Sequence, residues 1–330
     1  MKNYLKVSFT VLLSLLLLIS VTGCQPNIAK QQENPKVINI SYSTKPLNAP
    51  AIVALEKKMF EDEFAKDKIQ VKWYELEGPA TTEALAAKSI DFATSLNYVS
   101  AIISNANGND IKILSSYSKF PKGIGLVAAK GGEIASVADL KGKKIALQKG
   151  TMLHEMLIKA LAEAGMSAND VEIISMASAD ALNALLQKQV DAAVIPDPLL
   201  TKGIASQKIT LIRNAEGLIL GQAVIAARTE FIQKYPETTK HFLEIHQQIL
   251  AWIQENQDEA LRMTADTNGM EFKAVTALYP KFDFTMPIDS QDIVKLKESA
   301  EFLKANGFIK SDVDPDELVN RLVDTSYLPK

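Results

Sequence analysis

From residue 36 onward the hydrophobic positions change period again and again. "KVINISYS" (36–43) alternates in the manner of a strand, and "APAIVALEKKMFEDEF" (49–64) carries its apolar residues at helical spacing. "IQVKWYEL" (69–76) reads as a strand, 80–88 as a helix, "DFATS" (91–95) as a short buried strand, 97–106 as a helix and "IKILSSYS" (111–118) as a strand. After Gly131 and Gly132 the alternation restarts. "KKIALQKG" (143–150) is a strand running into a tight turn, and "TMLHEMLIKALAEAG" (151–165) is a helix that Gly165 can end. "VEIISM" (171–176), a helix over 180–188, "VDAAVI" (190–195) and "KITLIR" (208–213) complete the second series.

Strands that alternate with helices imply βαβ units and mainly parallel sheets. Two such series predict an α/β chain of two lobes. The apolar stretches "GIGLVAAK" (123–130) and "GQAVIAAR" (221–228) flank the second series and are expected to be the segments that cross between lobes. Residues 229–330 are mostly helical, with Phe242, Ile245, Ile249, Trp252 and Ile253 forming an apolar stripe that suits core packing.

A repeat supports the duplication. "ALAAKSIDFATSLN" (84–97) and "ALLQKQVDAAVIPD" (184–197) share Ala-Leu, Lys88 with Lys188, Asp91 with Asp191 and Ala93 with Ala193. Ala, Leu and Lys are common, so coincidence is the competing explanation. The shared place in each series favours a duplicated unit. Each copy ends a helix, turns at an aspartate, and delivers a short strand to a new helix start. The carboxyl ends of such strands are where open α/β sheets bind ligands.

The amino terminus has its own pattern. Lys2 and Lys6 precede an apolar run from Val7 to Val21, charge-then-hydrophobic in the manner of a secretory signal and short for a membrane span. The run ends at Val21-Thr22-Gly23-Cys24, which resembles a bacterial lipobox in which Cys24 is lipidated. Acyl chains there would anchor the protein to a membrane surface without spanning it. Cys24 is the only cysteine, which excludes a disulfide framework and a cysteine-based metal cluster. Removing the first 23 of 330 residues leaves 307, enough for about two domains. Losing Lys2 and Lys6 takes the formal charge from −3 to −5, with no basic footprint for nucleic acid. The expected organisation is a signal peptide at 1–23, a tether at 24–36, one lobe from 37–126 and 224–330, and the other from 127–223.

Three stretches, "GPATTEALAAKSIDFAT", "VADLKGKKIALQKGTMLHEMLIKALAEAG" and "ADALNALLQKQVDAAVIPDP", resemble the solute-binding proteins of nitrate, sulfonate and taurine ABC importers. With the lipobox, the resemblance covers most of 37–230. It implies a type II periplasmic-binding-protein fold, with the carboxy-terminal helices on the first lobe. It also implies an extracytoplasmic, monomeric lipoprotein that closes on a small anion and hands it to a permease with its ATPase. No cofactor is implied. Two departures stand out: Gly150-Thr151-Met152 has one hydroxyl where alkanesulfonate binders tend to have two, and Pro196-Asp197-Pro198 replaces a frequent Trp-Asp-Pro. Both leave room for a more apolar or heterocyclic ligand.

The candidate contacts follow from position. Gly150, Thr151 and Met152 open a helix, whose free N–H groups and dipole suit an anion, although Thr151 also reads as a plain N-cap. Ser95 and Asn97 stand at another helix start, as ligand contacts or caps. Lys45, Pro46 and Asn48 follow the first strand, where Lys45 could neutralise an anion. Asp197 is either the cap of a helix beginning at Pro198 or a cleft carboxylate suited to a ligand amine. Glu77-Gly78-Pro79 and Ser118-Lys119 rank lower. His154 is the one histidine near this region, and with His241 and His246 it makes no metal-ligand pattern.

Enzyme readings are weaker. No G-x-S-x-G, P-loop or H-E-x-x-H element is present. Thiamine-pyrimidine synthases resemble this family but carry a cysteine- and histidine-rich motif that Cys24 cannot supply. Menaquinone-precursor enzymes would be cytosolic, against the leader. A lipoprotein that senses its ligand for a membrane receptor is a third reading.

Overall fold

The computed structural model describes residues 34–45 and 47–330. The signal segment 1–23, Cys24, most of the 24–36 tether and Pro46 lie outside the described residues.

The first series builds β1 (Val37–Tyr42), α1 (Ala49–Glu56), α2 (Met59–Ala65), β2 (Gln70–Glu75), α3 (Pro79–Ala86), β3 (Phe92–Asn97), α4 (Tyr98–Ala106) and β4 (Ile111–Lys119). The helix expected over 49–64 is two helices, because Lys58 adopts φ 52° and breaks the run. The second series follows: β5 (Ile124–Ala129), β6 (Lys144–Leu147), α5 (Met152–Glu163), β7 (Glu172–Ser175), α6 (Ser178–Leu186), β8 (Ala192–Pro196), α7 (Leu199–Ala205) and β9 (Ile209–Asn214). The chain then forms β10 (Gln222–Arg228) and a helical tail of α8 (Thr229–Lys234), α9 (Pro236–Glu255), α10 (Gln257–Asn268), α11 (Phe272–Leu278), α12 (Ser290–Ala305) and α13 (Pro315–Leu322).

Two five-stranded sheets result, ordered β2-β1-β3-β10-β4 and β7-β6-β8-β5-β9. In each, the first three strands of the order pair in parallel and one strand, β10 or β5, runs antiparallel to both neighbours. The two orders superimpose element for element, as a duplicated lobe requires. The stretches expected to be plain crossings, 123–130 and 221–228, are these antiparallel strands. Each is the first strand made after the chain changes sheet, so the crossings fall just before them. A mostly apolar run of that length reads the same way in a buried strand and in a buried connection.

The two crossings touch. The Phe120 N–H donates to the Gly221 carbonyl at 2.8 Å, and the Ala215 N–H to the Pro121 carbonyl at 3.2 Å. Gly221 has φ 59°, and a Cβ there would lie 2.8 Å from Pro121 Cα, so only glycine fits. A continuous core runs through both lobes, from Phe60, Phe92 and Phe242 to Leu147, Met156 and Leu157. A smaller core of Ala181, Leu185, Ile195 and Leu200 fills the other face of the second sheet. Tail helices pack on the first lobe, α10 against α1 and α13 against α4, and α12 also reaches α5 of the second series through Ser299 and Glu155. Among the described residues, no helix is long and apolar enough to cross a membrane.

Candidate functional site

The carboxyl ends of both sheets open onto one cleft of about 610 Å³. It is bounded by the loops after β1 and β2, the end of β3, the β6–α5 turn, the start of α6, the β8–α7 turn, and Thr267 and Asn268 at the end of α10. Of the sequence-predicted residues, Lys45, Ser95, Asn97, Thr151, Met152 and Asp197 line it, together with Glu77 and Gly78. Asn48 and Gly150 do not.

Asn48 is fully buried behind the wall. Its Nδ2 lies 2.7 Å from the Ser43 carbonyl, the Lys45 carbonyl and Ser95 Oγ, which fixes the loop that carries Lys45. It therefore shapes the cleft from beneath, where the sequence placed it on the surface of the site. Gly150 turns the other way. With Lys149 it borders a separate groove of about 830 Å³ along α3 and α4, and its carbonyl accepts from Ser100 Oγ at 3.4 Å.

Two helix N-termini face the cleft. Asn97 caps α4, its Oδ1 accepting from the N–H of Val99 at 3.0 Å and of Ser100 at 3.4 Å. Thr151 caps α5, its Oγ1 accepting from the Leu153 N–H at 3.2 Å and donating to the Gln148 carbonyl at 2.8 Å. Both helices aim the positive end of their dipoles at the cleft. Beside Asn97, Ser95 holds φ 64°, an uncommon conformation for serine, with Asn48 bonded to its hydroxyl.

The caps are bolted together one turn back. Tyr98, the residue after Asn97, donates to Glu155 Oε2 at 2.5 Å, and Glu155 is one turn beyond Thr151. The Glu155 carboxylate, fully buried, also accepts from Ser299 Oγ at 2.6 Å and pairs with Lys159 at 2.8 Å. Burial, and then the Glu155 charge, push the Tyr98 hydroxyl well above its ordinary range, so it remains a donor. Sequence reasoning missed this pair, because nothing local distinguishes a helix tyrosine with a buried partner 57 positions away.

Asp197 is also already engaged. Its Oδ1 accepts from the Thr201 N–H at 2.9 Å and its Oδ2 from Lys281 Nζ at 3.0 Å, while its own N–H donates to the Gly123 carbonyl at 2.7 Å. The cap residue of α7 is Pro198, one place later than the sequence suggested, so Asp197 reaches the helix from outside. Across the cleft, Gly78 has φ 58°, which favours glycine, and it faces the flexible end of the Gln148 side chain. His154 is buried edge-on to Phe308, at 5.0 Å between rings; burial, with Lys149 nearby, pushes its pKa down to about 4. Among the described residues, no group of three or more His, Cys, Asp or Glu side chains could hold a metal ion.

A family model described as NMT1/THI5 like matches residues 45–260. The chain belongs to the NMT1/THI5-like family. A Bacillus subtilis (strain 168) protein named for aliphatic sulfonate binding is 31% identical over 329 residues, spanning 99% of this chain and 97% of its own. An Escherichia coli (strain K12) protein of the same name is 24% identical, over 86% of this chain and 88% of its own. The alkanesulfonate-binding protein SsuA from Xanthomonas axonopodis pv. citri, solved bound to MOPS, superimposes with a TM-score of 0.80 at 23% identity, covering 88% of this chain and 99% of that one. That likeness establishes the two-lobed periplasmic-binding-protein fold. Among the described residues that line the cleft, Phe120 is the one aromatic side chain.

Proposed function

We propose that this protein is the extracytoplasmic solute-binding component of an ABC importer and captures a small organic anion of the sulfonate class. The observation that carries the reading is the pair of helix N-termini, capped by Asn97 and Thr151, that converge on one cleft between the lobes. Lys45 and Lys202 add positive charge at its walls. Relatives named for sulfonate binding along nearly the whole chain point the same way.

The mechanism is ligand-favoured closure. An anion touching both lobes stabilises the form in which the two sheets approach, and that form is what a permease engages. The protein acts as a carrier in this reading, in keeping with relatives named as binding proteins. Cys24 is the lipidation site that ties it to the outer face of the cell membrane, and it works as a monomer. Replacing Cys24 with serine abolishes incorporation of a labelled fatty acid; persistent labelling would refute the anchor.

The deciding experiment is a thermal-shift panel on the mature chain, with alkanesulfonates, taurine, nitrate, aromatic carboxylates and pyrimidine heterocycles. A ligand at about one hundred times its Kd adds roughly 2.7 kcal/mol, an easily read shift. A sulfonate response supports the reading. Silence from every anion, with a response to a heterocycle, overturns the solute class.

A further inference from the structure

The cleft's two carboxylates are both matched by lysines of the chain itself. Asp197 has a fully buried side chain, with Lys281 Nζ on one oxygen at 3.0 Å and the Thr201 N–H on the other at 2.9 Å. Lys281 also donates to Thr201 Oγ1 at 3.2 Å, which holds the ammonium in place from a second side. Glu77 accepts from Ser43 Oγ at 3.0 Å, with Lys45 Nζ 3.9 Å away. Lys202 differs. Its Nζ donates to the Asn268 carbonyl at 3.3 Å across the cleft, and among the described residues no carboxylate lies within ion-pair distance of it.

We propose that Lys281 is a specificity-determining residue. It fills, with an ammonium built into the chain, the place where Asp197 would otherwise receive an amine from the ligand. The uncompensated charge at the cleft wall is then Lys202. A fully anionic sulfonate meets a site with positive charge to spare. An amino-sulfonate brings a second ammonium that finds its acceptor occupied, and it must shed water there without a replacement bond. The selectivity is therefore for sulfonates without an amine over zwitterionic ones. This inference rests on the sulfonate reading proposed above.

Isethionate and taurine share one two-carbon sulfonate skeleton and differ in a hydroxyl against an ammonium, so their ratio isolates the charge. Calorimetric titration of the unaltered mature protein is expected to give isethionate a Kd at least tenfold below that of taurine. Lys281→Met frees Asp197 and is expected to tighten taurine at least tenfold, with isethionate changed by less than threefold. Lys202→Gln, an exposed substitution that leaves the Asp197 cluster intact, is expected to weaken isethionate more than taurine. Equal or tighter binding of taurine by the unaltered protein overturns the inference and leaves the sulfonate reading standing. Failure of isethionate, taurine and ethanesulfonate alike overturns both.

Discussion

Asp91 and Asp191 hold the same post in the two sheets. Asp91 Oδ2 accepts from the Asn39 N–H at 2.8 Å, and Asp191 Oδ2 accepts from the Lys144 N–H at 2.7 Å. Each aspartate returns its own N–H to the same residue, at 2.7 and 2.9 Å. Just before them, Lys88 and Lys188 both take φ 58°, and Ser89 and Gln189 both donate to the alanine carbonyl five residues back. The repeated stretch thus encodes one device twice: a left-handed helix exit followed by a carboxylate that clips the incoming strand to its neighbour.

The surroundings of the two clips differ, and so should their mutants. Asp91 is buried and also pairs with Arg228, while Asp191 is exposed. Asp91→Asn leaves Arg228 short of its charge and should destabilise by about 3 kcal/mol, the lower end for a broken buried pair. Asp191→Asn should cost about 1 kcal/mol, the scale of a single hydrogen bond. Urea denaturation of the two variants compares them directly; equal losses would remove Arg228 from the argument.

The bolt between the capped helices makes a second prediction. Tyr98→Phe keeps the ring in the core but leaves Glu155 one donor short, and should cost about 2 kcal/mol. Glu155→Gln leaves Lys159 unmatched and should cost about 3 kcal/mol. The two substitutions touch one network, so the double variant should lose less than their sum by at least about 1 kcal/mol. Strict additivity would mean the hydroxyl and the carboxylate act independently.

Much of this architecture is legible locally. The alternation of strand and helix, the tail stripe and the repeated helix exit all depend on residues a few positions apart. The cleft's place follows from the strand ends, and six of the eight cleft residues chosen from the sequence line it. What was not legible depends on distant partners. Asp197 reads as open to a ligand amine until Lys281, 84 positions on, is seen beside it. Gly150 and Thr151 are neighbours in sequence, yet the turn sends one to the outer groove and the other to the cleft. Asn48 reads as a loop surface residue because burial beneath its own loop leaves no periodic trace.

Bulk at either helix N-terminus tests the site itself. Thr151→Trp and Asn97→Trp each remove a cap, at a cost of about 1 kcal/mol, and fill the cleft from one lobe. Both variants should remain folded by circular dichroism while ligand affinity falls at least tenfold. Unchanged affinity in both would place the ligand elsewhere.

His246 is buried on α9, stacked on Tyr117 at 5.4 Å between rings, and its Nε2 has no hydrogen-bond partner among the described residues. Burial pushes its pKa from 6.5 down to about 4. The folded state therefore keeps this ring neutral at a pH where the unfolded chain protonates it. The unfolded state binds the extra proton, so stability is full above pH about 6.5 and falls as the pH drops toward 4. Between pH 7.5 and 5 this one residue should remove about 2 kcal/mol. His246→Phe keeps an aromatic ring against Tyr117 and removes the titration. Its stability should fall less steeply over that range, with about one proton fewer taken up on unfolding. His154, pushed down to about 4 in the same way, still titrates in this variant, so part of the slope must persist. Parallel stability curves for the variant and the unaltered protein would show that His246 is hydrated, and that the packing of α9 against β4 is looser than the structure describes.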